Sequence, residues 1–314
     1  MRRLLLSAIL FSLILLSSCM TVKQRYMDNL DTKYLFVRAM SEKIPPSIDI
    51  HMESIVDRKI PGPTDPVTVR IYTPTRRNYN MPIIMYIHGG GFVLGSLEHV
   101  DRTVRLLARD TGAIVVSVEY RLAPEHPYPA GPEDCKAAFD WLVTHANDVF
   151  GADPERIAIG GDSAGGNLAT EVAIWRRDQK MIMPYAQLLY SPLVGSTDPT
   201  TGKPWTSRTE ANKKTVLTKK SLASFERMYL GNPSEYSKDP TVNPVYETDF
   251  SGLPPTLITI CGLDPLRDED TYYANKLEDA GVQVVREIFP AQDHAWMGDE
   301  AIRATVAFLA SLVP

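Results

Sequence analysis

Six residues constrain this chain more than any others: Gly161-Asp162-Ser163-Ala164-Gly165-Gly166, one residue after the apolar run Ile157-Ala158-Ile159. The order reads as a short buried strand, a turn nearly free of side-chain bulk, and small residues that open a helix. A G-x-S-x-G turn between strand and helix pushes a serine hydroxyl out at the end of a sheet. The glycines answer a steric need, because a side chain at Gly161 or Gly165 would crowd the neighbouring strand or helix. Ala164 follows the serine, which puts its N–H where an oxyanion would be held.

A second glycine cluster gives the first its meaning. His88-Gly89-Gly90-Gly91 follows the apolar run Pro82-Ile83-Ile84-Met85-Tyr86-Ile87. Consecutive glycines leave backbone N–H groups free to converge on one point, as an oxyanion hole requires. A phosphate-cradling loop is disfavoured, since no Gly-Lys-Ser/Thr follows and no helix starts at once.

The chain has 314 residues, 44% of them apolar, enough for one large α/β domain or two smaller ones. Its net charge of −5 gives no sign of nucleic-acid binding. No Cys/His cluster with metal spacing, H-E-x-x-H or P-loop occurs. No metal or cofactor is therefore expected.

The N-terminus reads as separate from the fold. Arg2-Arg3 precede a mostly apolar run from Leu4 to Leu16, then Ser17-Ser18-Cys19. That is a charged region, an apolar stretch short for a membrane span, and small residues before a cleavage site. Leu16-Ser17-Ser18-Cys19 resembles a bacterial lipobox, which implies cleavage before Cys19 and its lipidation. Several acyl chains would anchor firmly where one would not. Met20 is not an inner-membrane retention residue such as Asp, so the cell envelope, at the outer membrane, is the expected location. Beyond Cys19 only Cys135 and Cys261 remain, and two buried free thiols are expected in preference to a disulfide.

Along the mature chain, Gln24 to Met40 has apolar residues at helical spacing and stops at Pro45-Pro46. Val67, Val69 and Ile71 alternate with polar residues, as in a half-buried strand. Strands are then predicted at Ile83–Ile87, Ile114–Val118, Ile157–Ile159, Gln187–Tyr190, Leu257–Ile260 and Val284–Phe289. Helices are predicted near Val100–Arg109, Pro132–His145, Gly166–Arg177, Asp268–Ala280 and Glu300–Leu312. Strands without polar alternation fit a mostly parallel sheet with helices on both faces. The polar stretch 195–247, with one helix near Lys219–Leu230, is too long for a plain connection and reads as a cap. The organisation is thus a signal peptide at 1–18, then anchor, N-terminal cap helix and linker at 19–66. An α/β core follows at 67–194 and 248–314, with the cap insertion at 195–247.

In such a sheet the partners of Ser163 follow in the order serine, acid, histidine. Thr259-Ile260-Cys261-Gly262-Leu263-Asp264 supplies a strand end and an acid, and Phe289-Pro290-Ala291-Gln292-Asp293-His294 a strand end and a histidine. Of six histidines, His51, His88, His99, His126, His145 and His294, only the last lies beyond the final strand. Asp293 is a rival acid, but adjacent loop side chains seldom face each other. Asp268, Glu269 and Asp270 open a helix, where acids favour the dipole. The expected site is therefore Ser163 as nucleophile, His294 as base and Asp264 as the acid that orients it. Gly90, Gly91 and Ala164 supply the oxyanion donors.

These pieces resemble the hormone-sensitive-lipase-like carboxylesterases of the α/β-hydrolase fold. The resemblance rests on His88-Gly89-Gly90-Gly91-Phe92, on Tyr120-Arg121-Leu122-Ala123-Pro124-Glu125-His126-Pro127-Tyr128-Pro129-Ala130 and on the serine turn extended to Asn167. Gly252-Leu253-Pro254-Pro255 and Asp264-Pro265-Leu266-Arg267-Asp268-Glu269 complete it. It implies a helical cap to which the N-terminal helix contributes, and hydrolysis of short- to medium-chain acyl esters through a covalent acyl-enzyme. Two departures stand out. Glu119 occupies a usual Asp position of structural role, and His294-Ala295-Trp296 replaces His-Gly-Phe, which would narrow the acyl pocket.

Competing expectations are an acetyl-ester deacetylase acting on envelope or polysaccharide substrates, and a non-catalytic small-molecule binding protein on the same fold. A lipase working at lipid interfaces would want an apolar lid, whereas Ser207–Lys220 is polar and basic. The expected partners are a small-molecule ester and, through the anchor, a membrane. A homodimer is left open.

Overall fold

The computed structural model describes residues Asp31, Lys33, Tyr34, Arg38, 49–210, 215–294 and 297–313. The signal peptide, Cys19, most of the Gln24–Met40 helix and the Ala295-Trp296 pair lie outside the described residues. Asp31, Lys33, Tyr34 and Arg38 are helical.

Eight strands form one sheet in the order β1-β2-β4-β3-β5-β6-β7-β8. They are β1 Met52–Ile60, β2 Val67–Pro74, β3 Ile83–Ile87, β4 Val115–Glu119, β5 Ile157–Asp162, β6 Gln187–Tyr190, β7 Thr256–Cys261 and β8 Val284–Phe289. β2 runs antiparallel to β1 and to β4, and all other neighbours are parallel. β3, β6 and β7 are buried along their whole length, which is why their sequences show no polar alternation.

Helices cover both faces. They are α1 Leu97–Thr111, α2 Ala130–Phe150, α3 Ala164–Asp178, α4 Thr206–Glu210, α5 Lys219–Leu230, α6 Arg267–Asp279 and α7 Asp299–Ser311. Alternate residues of β3 point to opposite cores. Ile83, Met85 and Ile87 pack with residues of α2, α3 and α6, whereas Ile84 and Tyr86 pack with residues of α1 and α7. Each fully buried aliphatic side chain contributes about 1.5–3 kcal/mol through the water it sheds. Cys135 and Cys261 are buried and unbridged.

The structure adds a strand where linker was expected. In β1 only Ile60 is buried, so its sequence carries no apolar face to read. Its place comes from the backbone ladder to β2 and from the Asp57 carboxylate, which takes two hydrogen bonds from the Arg70 guanidinium at 2.6 and 2.8 Å. Helix ends also move outward. α2 runs to Phe150, five residues past the predicted end, until left-handed Gly151 stops it.

The insertion 195–247 holds α4, α5 and two short 3₁₀ turns, Pro233–Tyr236 and Pro244–Tyr246. Thr218 caps α5 and Ser221 answers it, a reciprocal pair that closes the first turn. α1 begins just after the glycine loop, and two side chains fix its start. Ser96 Oγ accepts the N–H of His99 at 3.2 Å, and Glu119 Oε2 accepts that of Leu97 at 2.8 Å. Glu119 thus works as a helix anchor, with its longer side chain still reaching the N-terminus. Replacing Ser96 by Ala should cost about 1 kcal/mol of stability, read as a lower midpoint in urea unfolding at unchanged slope.

Candidate active site

The site forms where β3, β5, β7 and β8 end. Ser163 sits between β5 and α3 at φ 53° and ψ −119°, outside the comfortable regions for a side-chain-bearing residue. Three backbone hydrogen bonds hold it there. Its N–H donates to Tyr190 O at 2.9 Å, and its carbonyl accepts from Asn167 at 3.1 Å and Leu193 at 3.0 Å. The amide of Asn167 donates to Leu193 O at 2.7 Å and to Val242 O at 3.0 Å, tying the helix start to the insertion. The flanking glycines have no room for more. A Cβ at Gly161 would lie 2.2 Å from Ile87 O, and one at Gly165 2.0 Å from the same atom.

Ser163, Asp264 and His294, far apart along the chain, meet. His294 Nε2 lies 2.9 Å from Ser163 Oγ, and its Nδ1 lies 2.8 Å from Asp264 Oδ2. The pattern assigns the ring proton to Nδ1, donating to the carboxylate, and leaves Nε2 to accept from the hydroxyl. Asp264 Oδ1 accepts the N–H of Leu266 at 2.9 Å, so both carboxylate oxygens are occupied. Asp293 turns away from the ring. It accepts the backbone N–H of His294 at 2.7 Å, and its other oxygen accepts that of Val216 at 2.7 Å.

The predicted oxyanion donors lie on the same cavity. Gly90 and Gly91 have φ of 118° and 61°, which favours glycine. The Gly90 carbonyl is drawn away by the N–H groups of Val93 at 3.1 Å and Leu94 at 2.8 Å. Among the described residues, no acceptor occupies the N–H of Gly90, Gly91 or Ala164. A cavity of about 320 Å³ opens over Ser163, walled by Gly89, Gly90 and Gly91. Leu94 and Leu193 of the core and Leu217, Leu222 and Phe225 of the insertion give it an apolar lining, and Tyr34 reaches it from the N-terminal segment. That segment is pinned nearby. Asp31 bonds Ser224 and Arg227 of α5, and Arg38 donates to Ala123 O at 3.0 Å.

A model of the α/β-hydrolase fold family matches residues 84–298. The chain belongs to that family. A carboxylic ester hydrolase of Mycobacterium tuberculosis is 39% identical over 261 residues, covering 82% of this chain and 67% of the relative. An esterase of the same organism is 41% identical over 258 residues, covering 81% and 78%. Among solved structures, a thermostable carboxylesterase cloned from a metagenomic library superposes with a TM-score of 0.80 at 33% identity, covering 92% of this chain and 98% of that one. An esterase of Pyrobaculum calidifontis gives 0.78 at 35% identity, covering 91% and 92%.

In this α/β hydrolase several supporting residues escaped the motif reading. Asp162, beside the serine, accepts the Tyr86 hydroxyl at 2.8 Å and the Gly89 N–H at 3.0 Å, so it pins the glycine loop to the serine turn. Its place inside the glycine motif was the available signal. His88 is fully buried, stacks on Tyr120 with ring centroids 4.4 Å apart and has Nδ1 2.8 Å from Gly89 O. Burial pushes its pKa down to about 4, so it stays neutral and serves as a wedge. Glu269 accepts the N–H groups of Val194 and Gly195 and the guanidinium of Arg208, which fastens α4 beside the acid loop.

The His294 imidazole is buried, which by itself would lower its pKa. The charge and hydrogen bond of Asp264, with Asp162 and Asp293 behind it, outweigh burial and raise the pKa above the ordinary histidine value. Protonated His294 cannot accept the serine proton, so activity should fall as pH drops through that raised pKa. The acid limb of kcat/KM should have its midpoint above the ordinary imidazole value of about 6.5, read from pH–rate profiles on a p-nitrophenyl ester.

Proposed function

We propose that this protein is a serine esterase acting on short- to medium-chain acyl esters through Ser163, His294 and Asp264. The chain is a carboxylic ester hydrolase, as its family and its relatives support. The observation that carries the residue assignment is the unbroken line from Ser163 Oγ through His294 to Asp264, at 2.9 and 2.8 Å.

The chemistry follows from that line. His294 Nε2 takes the proton as Ser163 Oγ attacks the ester carbonyl carbon. Asp264 holds the ring tautomer and stabilises the imidazolium. The N–H groups of Gly90, Gly91 and Ala164 hold the tetrahedral oxyanion, where losing one such donor typically raises the barrier by about 3–4 kcal/mol. The imidazolium protonates the departing alkoxide, leaving an acyl-serine. Water, deprotonated by the same histidine, then releases the acid. The apolar walls and the modest cavity volume favour acyl groups of a few carbons. The insertion 195–247, with the N-terminal helix, serves as the cap that closes this cavity.

The chain is further read as a lipoprotein of the bacterial cell envelope, processed before Cys19 and held at the outer membrane. Its support is the Leu16-Ser17-Ser18-Cys19 sequence behind a charged and apolar leader.

Ser163→Ala should lower turnover of p-nitrophenyl butyrate by at least about 10³-fold while circular dichroism stays unchanged. Near-normal turnover by that variant would remove Ser163 as nucleophile. Cys19→Ala should abolish incorporation of labelled fatty acid and release the protein from the membrane fraction. Labelling that persists in this variant would end the lipoprotein reading.

A further inference from the structure

The insertion is joined to the base loop at one point only a residue away from the imidazole. Asp293 accepts the backbone N–H of His294 with one oxygen and that of Val216 with the other, both at 2.7 Å. Val216 and Leu217 line the cavity that also holds Ser163 and His294. Val216 is 77% exposed, so packing does little to place this residue. The adjoining stretch is better held, since Thr215 Oγ1 donates to Leu217 O at 2.7 Å and Thr218 caps α5. The base loop is also tied by backbone bonds, Gln292 N–H to Phe289 O at 3.1 Å, Leu263 N–H to Gln292 O at 3.0 Å and Gly262 N–H to Phe289 O at 2.9 Å.

We propose that Asp293 is a positioning residue that clamps the cavity wall at Val216-Leu217 to the loop carrying His294, so that wall and base are held as one unit. The inference rests on His294 being the base. A carboxylate is suited to the task because it accepts two N–H groups from different segments at once, and charge strengthens both bonds. Loss of the clamp frees both segments. His294 then samples positions off the Ser163 hydroxyl, and Leu217 no longer forms a fixed wall. Misplacement on the scale of an ångström costs about 10²-fold in rate.

The clamp also leaves an electrostatic mark. The charged groups facing the imidazole are Asp264 from the loop after β7, Asp162 from the end of β5, and Asp293 itself. Among the described residues His99 of α1 and Tyr34 of the N-terminal segment are the other titratable side chains on the cavity, and the insertion residues that reach it, Val216, Leu217, Ser221, Leu222 and Phe225, are uncharged. Removing the Asp293 charge withdraws one of the three carboxylates that raise His294, the one that acts after Asp264 and Asp162 in strength.

The test compares Asp293→Ala, Asp293→Asn and Asp293→Glu in the full enzyme on p-nitrophenyl butyrate. Asp293→Ala should lower kcat about 10- to 100-fold, raise KM, and shift the acid limb to lower pH. Asp293→Asn keeps one acceptor without the charge, so its limb should shift like that of Ala while kcat falls less. Asp293→Glu should restore the limb and part of kcat. If Asp293→Ala fails to fold, the Asn and Glu pair carries the comparison alone. Wild-type kcat, KM and acid limb in the Ala or Asn variant would overturn the clamp. So would an equal loss of kcat in every variant with an unmoved limb, the signature of general damage. Failure of the esterase reading shows separately, as turnover that survives Ser163→Ala.

Discussion

The carbonyl oxygen of Ile87 is the point on which the site is built. It ends β3, and it lies where a Cβ at Gly161 or at Gly165 would have to go. The serine turn can therefore press against the strand that launches the glycine loop, and only because both positions lack a side chain. This single close approach brings a strained serine and a row of bare N–H groups to the same end of the sheet. Ser163 keeps its unfavourable backbone angles because Tyr190, Asn167 and Leu193 each hold it by a backbone hydrogen bond. Strain of this kind costs on the order of 1–3 kcal/mol and persists only where the surroundings over-determine it.

Three carboxylates then act as pins between loops, beside backbone bonds such as Leu263 N–H to Gln292 O. Asp162 joins the serine turn to the glycine loop through Tyr86 and Gly89. Asp264 joins the acid loop to the imidazole. Asp293 joins the base loop to the insertion. Each accepts from more than one residue, the buried Asp264 as well as the half-buried Asp162 and Asp293. Their shared side effect is a more basic His294. The groups that hold the geometry thus also tune the proton acceptor.

Much of this was legible in the residues, for physical reasons that differ from part to part. The buried parallel strands announced themselves because burial on two faces forces apolar runs, as in Ile83–Ile87 and Leu257–Ile260. The serine-turn glycines were legible because no other residue fits beside Ile87 O, and Gly89, Gly90 and Gly91 because Asp162, Leu94 and Phe225 crowd them in turn. Asp264 and His294 followed from chain order together with their places beyond late strands, and the structure puts His294 on Ser163 and Asp264 on His294. Strand β1 was hidden because one buried residue, Ile60, leaves no period to detect. Asp162 and Asp293 were hidden for another reason. A carboxylate that accepts backbone N–H groups from distant loops has no sequence period, and its role exists only once those loops are adjacent. The weighing of Asp293 against Asp264 as the acid shows the limit well. Both lie near a strand end, and only geometry reveals that one faces the ring and the other the backbone.

The polar composition of the insertion takes on a different sense in three dimensions. Ser207–Lys220 was read as too polar and basic for a lid that opens at a lipid surface. The insertion nonetheless gives the cavity an apolar lining, with Leu217 from that stretch and Leu222 and Phe225 from α5. Phe225 packs so closely on the glycine loop that a Cβ at Gly91 would lie 2.4 Å from its ring. The insertion is also fastened rather than hinged, through Arg208 to Glu269, Ser207 to Pro265 and Asp268, and Val216 to Asp293. Each of these partners lies on one of the two loops that carry Asp264 and His294 or on the helix leading from them. Displacing the insertion as a unit would break hydrogen bonds to both of those loops. On that ground the insertion, the loop that carries Asp264 and the loop that carries His294 form one hydrogen-bonded framework around the cavity.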